Sequence, residues 1–473
     1  MKNKVGITAL VLIITACVLV SIALIVGGYF LLRAQKNYTE PTLTSVPILP
    51  TATSEAPVEG ATPGEEETLS PEISSQMDEI QQQVMQLRGL QLTADLKRDL
   101  MTPEELQDKV TNDFFKDYST KDAQNDEKIL STLGLIDPGF DLRQFYLDLY
   151  SEQIAGYYDN ETKEMYVIAG ENFGGMERMT YAHEFNHVLQ DQTYDMENGL
   201  MLNDDNCEVD TEYCAATTAL IEGDSSLAEQ LWFMQYGTKQ DQKDLTAFQD
   251  SYASPVYDSA PNYMKEDFLF PYSQGFDFVY GLYQNGGWDA VDEAFLNPPV
   301  TTEQILHPEK YPSDKPVVVE MPDLSPILGE GWEELDRNVM GEWYTYLILA
   351  KGSSSQFTMD DEESKMAAAG WGGDTYVYYA PADSSDYLFA WHSTWETSPD
   401  MNEFFNLSRE YGLARWGSPT ENTSTSVSWR SQTDGIITMC RNANDVLWLM
   451  GTSETEIDGA LNLLQDFGVN HAD

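Results

Sequence analysis

The chain has 473 residues, 42% of them hydrophobic and 12% aromatic, which is enough for two or three folded domains with a sizeable core. It carries 79 acidic residues against 26 lysines and arginines, a formal net charge of −53. A surface this acidic repels phosphate backbones, which argues against a nucleic-acid partner and indicates a solvated acidic surface.

The N-terminus predicts a membrane anchor. Residues 5–32 form an uncharged, apolar run of 28 residues, long enough for a helix to span a bilayer with some tilt. A cleaved signal peptide has a shorter apolar core of about 7–15 residues. The stretch ITAC offers the alternative of a lipidated Cys17, but the apolar run continues 15 residues past it. We predict a single-pass anchor over residues 1–36, with the rest of the chain outside the cytoplasm.

Two segments follow the anchor. Residues 37–75 are rich in Pro, Thr, Ser and Glu, a composition that cannot bury a core and predicts a disordered stalk. A first folded domain is predicted over 76–328. It begins with helices in MDEIQQQVMQLRGL and TPEELQDKV, and it continues with a hairpin in AGYYDNETKEMYVIAG whose second strand covers 165–168.

The pattern of apolar and turn residues changes at Gly329. Five short apolar segments separated by turn residues predict five strands, with helices at about 398–412 and 454–467. We therefore expect an α+β fold: a mostly helical first domain with a small sheet, then a smaller α+β domain over 329–473. The aromatic residues of this domain are expected to be core residues rather than a ligand platform. They are Trp371, Tyr376, Trp391, Trp395, Trp429 and Trp448.

The cysteines fit an oxidising compartment. Cys207 and Cys214 are seven residues apart, a spacing that suits a small disulfide loop and not a CxxC metal site. Cys440 is then left alone, and its apolar surroundings predict a thiol buried in a strand.

The segment YAHEFNHVLQ contains two of the five histidines of the chain. On a helix, His183 and His187 lie on one face because they are four residues apart, so both can bind one metal ion. Glu184 is offset from that face and can reach a water in an open coordination position. This HExxH pattern is typical of zinc peptidases, in which the glutamate serves as general base and then as general acid.

A catalytic zinc usually takes a third protein ligand. The pattern HExxHxxGxxH is excluded, because Gln190 and Thr193 occupy its later positions. The best candidate is Glu222, on a helix predicted over 215–235, where Gly223 is expected to leave room beside the metal and Asp224 to orient a ligand. Three other carboxylates remain as alternative ligands: Asp191, Asp224 and Glu229.

HEFNH followed by an IEGD helix resembles the gluzincin group of zinc metallopeptidases, in which a downstream glutamate supplies the third ligand. The segment FPYSQGFDFVYGLYQNGG is similar to a helix of aminopeptidase-N-like gluzincins, and the resemblance implies that Tyr272 donates to the oxyanion. The likeness covers about residues 150–300 and implies a zincin-like fold with Zn²⁺. With RGL at 88–90, AGYYD and TTEQILHPEKY, the chain also resembles uncharacterised membrane-anchored bacterial members of this group. A motif that reads a free amino terminus is missing, which favours an endopeptidase.

The remaining histidines are weaker candidates for the catalytic site. His307, in TTEQILHPEKY, is more often a packed loop histidine than a transition-state donor. His392 and His471 lie in the second domain, and no role is expected for either.

The expected function is a membrane-anchored, extracytoplasmic zinc peptidase that acts on peptide or protein substrates, with the strand at 166–168 adding an extended substrate as a further strand. Two alternatives stay open. One is a catalytically inactive zincin-like binding protein, and the other is a zinc hydrolase that acts on a non-peptide amide. The sequence does not indicate an oligomeric state.

Overall fold

The structure is a computed structural model that describes residues 69–464 and Phe467 apart from a few internal positions. The internal exceptions are residues 110, 113–114, 116–117, 161, 169–172 and 383. The predicted anchor and residues 37–68 of the predicted stalk lie outside the described residues. Within the described part, no helix is both long enough and apolar enough to cross a bilayer.

The folded chain begins earlier than expected. Helix α1 (Pro71–Arg88) takes in the last five residues of the predicted stalk. Ser70 caps it by accepting a hydrogen bond from the backbone N–H of Ile73, and Pro71 occupies its first turn. The stalk-like composition at 70–75 is therefore a helix start.

The α+β prediction is confirmed, with fifteen helices and two sheets among the described residues. The N-terminal part holds eleven of these helices and the smaller sheet. After α1 its helices are α2 (Pro103–Lys109), α3 (Thr120–Thr132), α4 (Leu142–Gln153), α5 (Gly175–Tyr194), α6 (Asp204–Cys207), α7 (Thr211–Tyr236), α8 (Lys239–Ser251), α9 (Pro255–Ser259), α10 (Asn262–Leu296) and α11 (Thr302–Leu306). The helix with HEFNH (α5) and the helix with Glu222 (α7) are both present as predicted.

The smaller sheet contains β1 (Lys97–Met101), β2 (Gly156–Asp159) and β3 (Glu164–Ile168). The predicted hairpin is confirmed, because β2 pairs antiparallel with β3. The prediction that β3 receives a substrate strand is wrong. Strand order is β1-β3-β2, and β1 pairs in parallel with the other side of β3, so β3 has no unpaired edge. The hairpin pattern alone did not reveal β1, whose sequence KRDLM is mostly polar.

The C-terminal part is a seven-stranded sheet of order β4-β5-β6-β10-β9-β8-β7. Its strands are β4 (Trp332–Asn338), β5 (Trp371–Pro381), β6 (Leu388–Trp395), β7 (Glu421–Asn422), β8 (Ser426–Ser431), β9 (Gly435–Asn442) and β10 (Asp445–Gly451). Its helices are α12 (Gly341–Ala350), α13 (Asp361–Ala368), α14 (Ser398–Trp416) and α15 (Glu454–Leu463). The five predicted strands and both predicted helices are present, and β4, β7, α12 and α13 are additional.

Burial agrees with the expectations for the cysteines and the aromatic residues. Cys207 and Cys214 form a disulfide, and Cys440 is a buried free thiol in β9. The six aromatic residues expected in the core of the C-terminal part are all buried. One hydrophobic core runs through both parts of the chain, and the rings of Phe270 and Trp343, with centroids 4.5 Å apart, belong to it.

Candidate metal centre

Helices α5 and α7 bring His183, His187 and Glu222 together. One Oε of Glu222 lies 3.2 Å from Nε2 of His183 and 3.4 Å from Nε2 of His187. One ligand atom from each of the three residues lies within 4.8 Å of the others, and all three side chains are buried. The spacing on α5 places both imidazoles on one face, as the HExxH pattern predicts.

The outer nitrogen of each imidazole is held by a second residue. Nδ1 of His183 lies 2.9 Å from an oxygen of Glu229. Nδ1 of His187 lies 2.8 Å from Oε1 of Gln190 and 3.1 Å from the hydroxyl of Ser225. When Nδ1 carries the proton and donates it to these acceptors, the lone pair of each Nε2 is left for a metal. These acceptors at Nδ1 suit the tautomer that metal binding requires.

A buried network continues outward from His187. Gln190 donates to the carboxylate of Asp224 at 2.7 Å, and Asp224 receives the guanidinium of Arg88 at 2.8 Å. Arg88 is fully buried, pairs with Asp292 at 2.7 Å, and comes from the end of helix α1. The predicted orienting role of Asp224 therefore reaches His187 through Gln190. The RGL segment noted in the sequence supplies the buried charge that balances Asp224.

The side chains fit a metal. Among the described residues, Nε2 of His187, one oxygen of Glu222 and one oxygen of Glu184 are buried polar atoms without a hydrogen bond. Leaving such atoms unpaired is costly unless something binds them. Two imidazoles and one carboxylate form a donor set that suits zinc in a catalytic site.

Ionisation of the three groups follows their surroundings. Burial alone would lower the pKa of His183, but hydrogen bonds to Glu222 and Glu229 outweigh it and raise the pKa to about 10. Burial would raise the pKa of Glu222, yet the positive charges of the two histidines and the hydrogen bond to His183 hold it below its ordinary value. The cluster therefore favours a positive charge at its centre.

Glu184 follows His183 on α5 and is 1% exposed. Burial raises the pKa of its carboxyl to about 7, against the lowering effect of the two histidines. A carboxyl with a pKa near neutrality can both take up and return a proton. Gly156 of β2 lies next to it, since a Cβ built there would be 3.2 Å from Cγ of Glu184. The edge strand of the small sheet thus borders this carboxyl.

Tyr272 is buried on α10, with its ring centroid 6.5 Å from that of His183. The close approach of α7 and α10 explains this position. A Cβ at Gly223 would lie 2.2 Å from the carbonyl oxygen of Gly275, and one at Gly275 would lie 2.1 Å from that of Ala219. The prediction that Gly223 leaves room beside the metal is wrong, because this glycine admits the backbone of α10 and so brings Tyr272 to the site.

The alternative third ligands point elsewhere. Asp191, one helical turn after His187, accepts hydrogen bonds from Tyr158 and Lys163 at 2.7 and 2.6 Å. Asp224 binds Arg88, and Glu229 faces the outer nitrogen of His183. Glu222 is therefore the carboxylate that joins the two Nε2 atoms.

The other histidines lie outside this cluster. His307 contacts Glu342 at 2.8 Å, beside a second group of acidic side chains that consists of Glu303, Asp314 and Glu396. The ammonium of Lys310 lies 2.6 Å from Glu303 and 2.9 Å from Glu396, so a lysine already balances that group. His392 contacts Asp445 within the C-terminal part, and His471 lies outside the described residues.

Comparison with known proteins reaches only the C-terminal part of the chain. A family described as a domain of unknown function (DUF8575) matches residues 329–461. No curated protein and no solved structure matches this chain. The metal cluster, on α5 and α7, lies before the matched residues.

Proposed function

We propose that the chain is a zincin-like, zinc-dependent peptidase of the gluzincin type. The observation that carries the proposal is the convergence of His183, His187 and Glu222, with Glu184 beside them. A purely structural zinc site usually closes with four protein ligands and has no need for a buried carboxyl next to it. Three ligands together with Glu184 suit a catalytic site that keeps one position open.

Each residue of the site has its own role in the proposed reaction. A zinc ion bound by the three ligands would supply a Lewis acid that polarises a carbonyl and lowers the pKa of water. Glu184 takes the proton from the attacking water and delivers it to the leaving amine. Glu229 and Gln190 keep the two imidazoles in their binding tautomer. Tyr272 is suited to donate a hydrogen bond to the developing oxyanion.

The edge strand β2 is suited to hold an extended substrate. β2 is an outer strand of the small sheet, and its Gly156 borders Glu184. A peptide that pairs with β2 as an added strand would pass beside the general base. Strand pairing is made through main-chain hydrogen bonds along the peptide, which suits an endopeptidase.

The proposal also places the site outside the cytoplasm on a membrane anchor. The Cys207–Cys214 disulfide supports this part, because disulfides persist in oxidising compartments. The anchor itself rests on the apolar run at residues 5–32.

The test compares the full-length chain with Glu184→Gln. We expect about one zinc per chain in both proteins and hydrolysis of an unfolded protein substrate by the parent alone. Zinc retained without hydrolysis in either protein would favour the binding-protein alternative. Cleavage of small amides without cleavage of peptides would favour a non-peptide hydrolase. A parent that binds no zinc would refute the proposal.

A further inference from the structure

The metal centre is closed on all sides. His183, Glu184, Glu222 and Tyr272 are each 1% exposed, and His187 is 3% exposed. A polypeptide cannot reach a site this buried, so a peptidase built on it needs a part that moves. The question is which elements cover the site and what holds them in place.

Helices α3 and α4 contribute to the hydrophobic cluster that contains Tyr272. Tyr272 and Phe268, one turn apart on α10, belong to one core cluster with Ala123 of α3 and with Leu149 and Tyr150 of α4. The rings of Tyr150 and Phe268 are 6.5 Å apart. We call α3 and α4 together the cover. The cover thus packs beside Phe268, in the cluster that also contains Tyr272, through aliphatic and aromatic side chains.

The C-terminal part of the chain grips the end of α3. Arg415 of α14 donates to the backbone carbonyls of Thr132 at 3.0 Å and Ser131 at 3.4 Å. Tyr411, one turn earlier on α14, donates to the carbonyl of Leu133 at 3.2 Å. A cation at a helix C-terminus binds the last carbonyls and opposes the negative end of the helix dipole. Both contacting side chains are buried.

A second polar contact holds the end of α4. The carboxylate of Glu152 accepts hydrogen bonds from the backbone N–H groups of Val256 at 2.8 Å and Tyr257 at 3.0 Å. These residues open α9, the short helix that precedes α10. The cover is thus held by charged hydrogen bonds at both ends and by apolar packing over the site between them.

We propose that the cover closes the metal centre and that the C-terminal part, through Arg415 and Tyr411, holds it shut. This inference rests on the proposed zinc peptidase function. It assigns a role to the residues that match a domain of unknown function: they control access to a catalytic site on the other part of the chain. Opening requires release of the C-terminal end of α3, and the metal and Tyr272 then become accessible together.

The test measures the rate at which the zinc-loaded, full-length chain gives up its metal to excess chelator. Arg415→Met and Tyr411→Phe each weaken the grip on α3, and Glu152→Gln weakens the contact with α9. Losing one charge-assisted hydrogen bond shifts an equilibrium by roughly tenfold or more, so Arg415→Met is expected to speed zinc release by that factor. Equilibrium zinc affinity is expected to stay within about twofold, because a looser cover speeds the entry of zinc as much as its release.

A matched control is Arg441→Met. Arg441 also donates to a backbone carbonyl, that of Ser424, and stacks on the ring of Phe405, but all these groups belong to the C-terminal part. Asp148→Asn is the control for Glu152, since the Asp148 carboxylate accepts from Gln144 of the same helix. Both controls are expected to release zinc at the parental rate.

The outcomes separate this inference from the proposed function. Faster zinc release in the three grip variants but not in the controls supports the cover. Equal rates in all variants overturn it while leaving a zinc centre in place. A parent that binds no zinc refutes the proposed function, and hydrogen exchange then decides the cover. Faster exchange of 120–153 in the grip variants supports it, and unchanged exchange overturns it. Should Arg415→Met fail to fold, Tyr411→Phe and Glu152→Gln carry the test.

Discussion

Exchanging Glu222 or Glu229 for glutamine distinguishes a metal ligand from a residue that only holds a histidine. Both carboxylates contact His183, but at opposite ring nitrogens: Glu222 at Nε2, 3.2 Å away, and Glu229 at Nδ1, 2.9 Å away. Only the Nε2 side also faces His187. We therefore expect the two substitutions to have very different effects on zinc affinity.

The magnitudes follow from what each carboxylate does. Structural zinc sites with four protein ligands bind with about 10–16 kcal/mol, or roughly 2.5–4 kcal/mol per ligand. Glu222→Gln is therefore expected to weaken zinc binding by roughly 100- to 1000-fold. Glu229→Gln keeps an oxygen for Nδ1 of His183, so a loss below about tenfold is expected, whereas Glu229→Ala removes the acceptor and is expected to cost about 10–100-fold.

The assay is a competition between the full-length chain and a chelator of known affinity, at one pH and salt concentration for all variants. Far-ultraviolet circular dichroism of each metal-free variant checks that the helices are intact. Equal losses for the two glutamine variants would contradict the assignment of Glu222 as the ligand. A larger loss for Glu229→Gln would place the metal on the Nδ1 side of His183.

Three further predictions concern stability. Gly223→Ala is expected to lower the melting temperature by an amount equivalent to about 1–3 kcal/mol or more, because the added methyl group meets the backbone of α10 at 2.2 Å. The control is Gly281→Ala, on a part of α10 with open space around the glycine, and it is expected to be neutral or slightly stabilising. Burial raises the pKa of Asp374 from 3.8 to about 6, so its protonation stabilises the folded chain fully at low pH, and that contribution disappears as the pH rises through about 6. The advantage of the parent over Asp374→Asn in denaturant titrations is therefore expected to shrink by roughly 3 kcal/mol between about pH 3.8 and 6, and a constant difference would contradict this reasoning. Replacing both Cys207 and Cys214 by serine is expected to cost roughly 2.5 kcal/mol in chemical unfolding, the chain entropy of a short loop, and an unchanged midpoint would refute that estimate.

The centre of the site was predictable because local geometry carries it. His183, Glu184 and His187 lie within five residues of one helix, and the periodicity of a helix fixes which of them share a face. Glu222 was selected from its position on a later predicted helix, in agreement with the family resemblance, and the structure brings it to the two histidines. No long-range information was needed beyond the presence of a second helix.

The surroundings of the site were not predictable, because they depend on contacts between distant segments. Arg88 meets Asp224 across 136 residues, and Glu229 meets His183 across 46. Nothing in a single sequence marks such pairs as partners. Strand β1 was missed because a polar edge strand lacks strong alternation, and α12 was missed because GEWYTYLILA is apolar on every face and shows no helical period.

The residue pattern changes at Gly329 because strands become more frequent there, but the hydrophobic core continues across this boundary. Asn338, at the end of β4, donates to the backbone carbonyl of Glu208, just before α7, and accepts from the backbone N–H of Thr211, the first residue of α7. A Cβ at Gly341 would overlap the carboxylate of Glu212. The start of α7 is thus fixed by the C-terminal part, while Arg88 of α1 binds the same helix at Asp224, two residues past Glu222. A metal ligand needs its backbone held within a fraction of an ångström, and these two attachments, one from each part of the chain, fix the helix that bears Glu222. The C-terminal part therefore positions the helix that bears Glu222 and, in the access mechanism proposed above, also holds the cover.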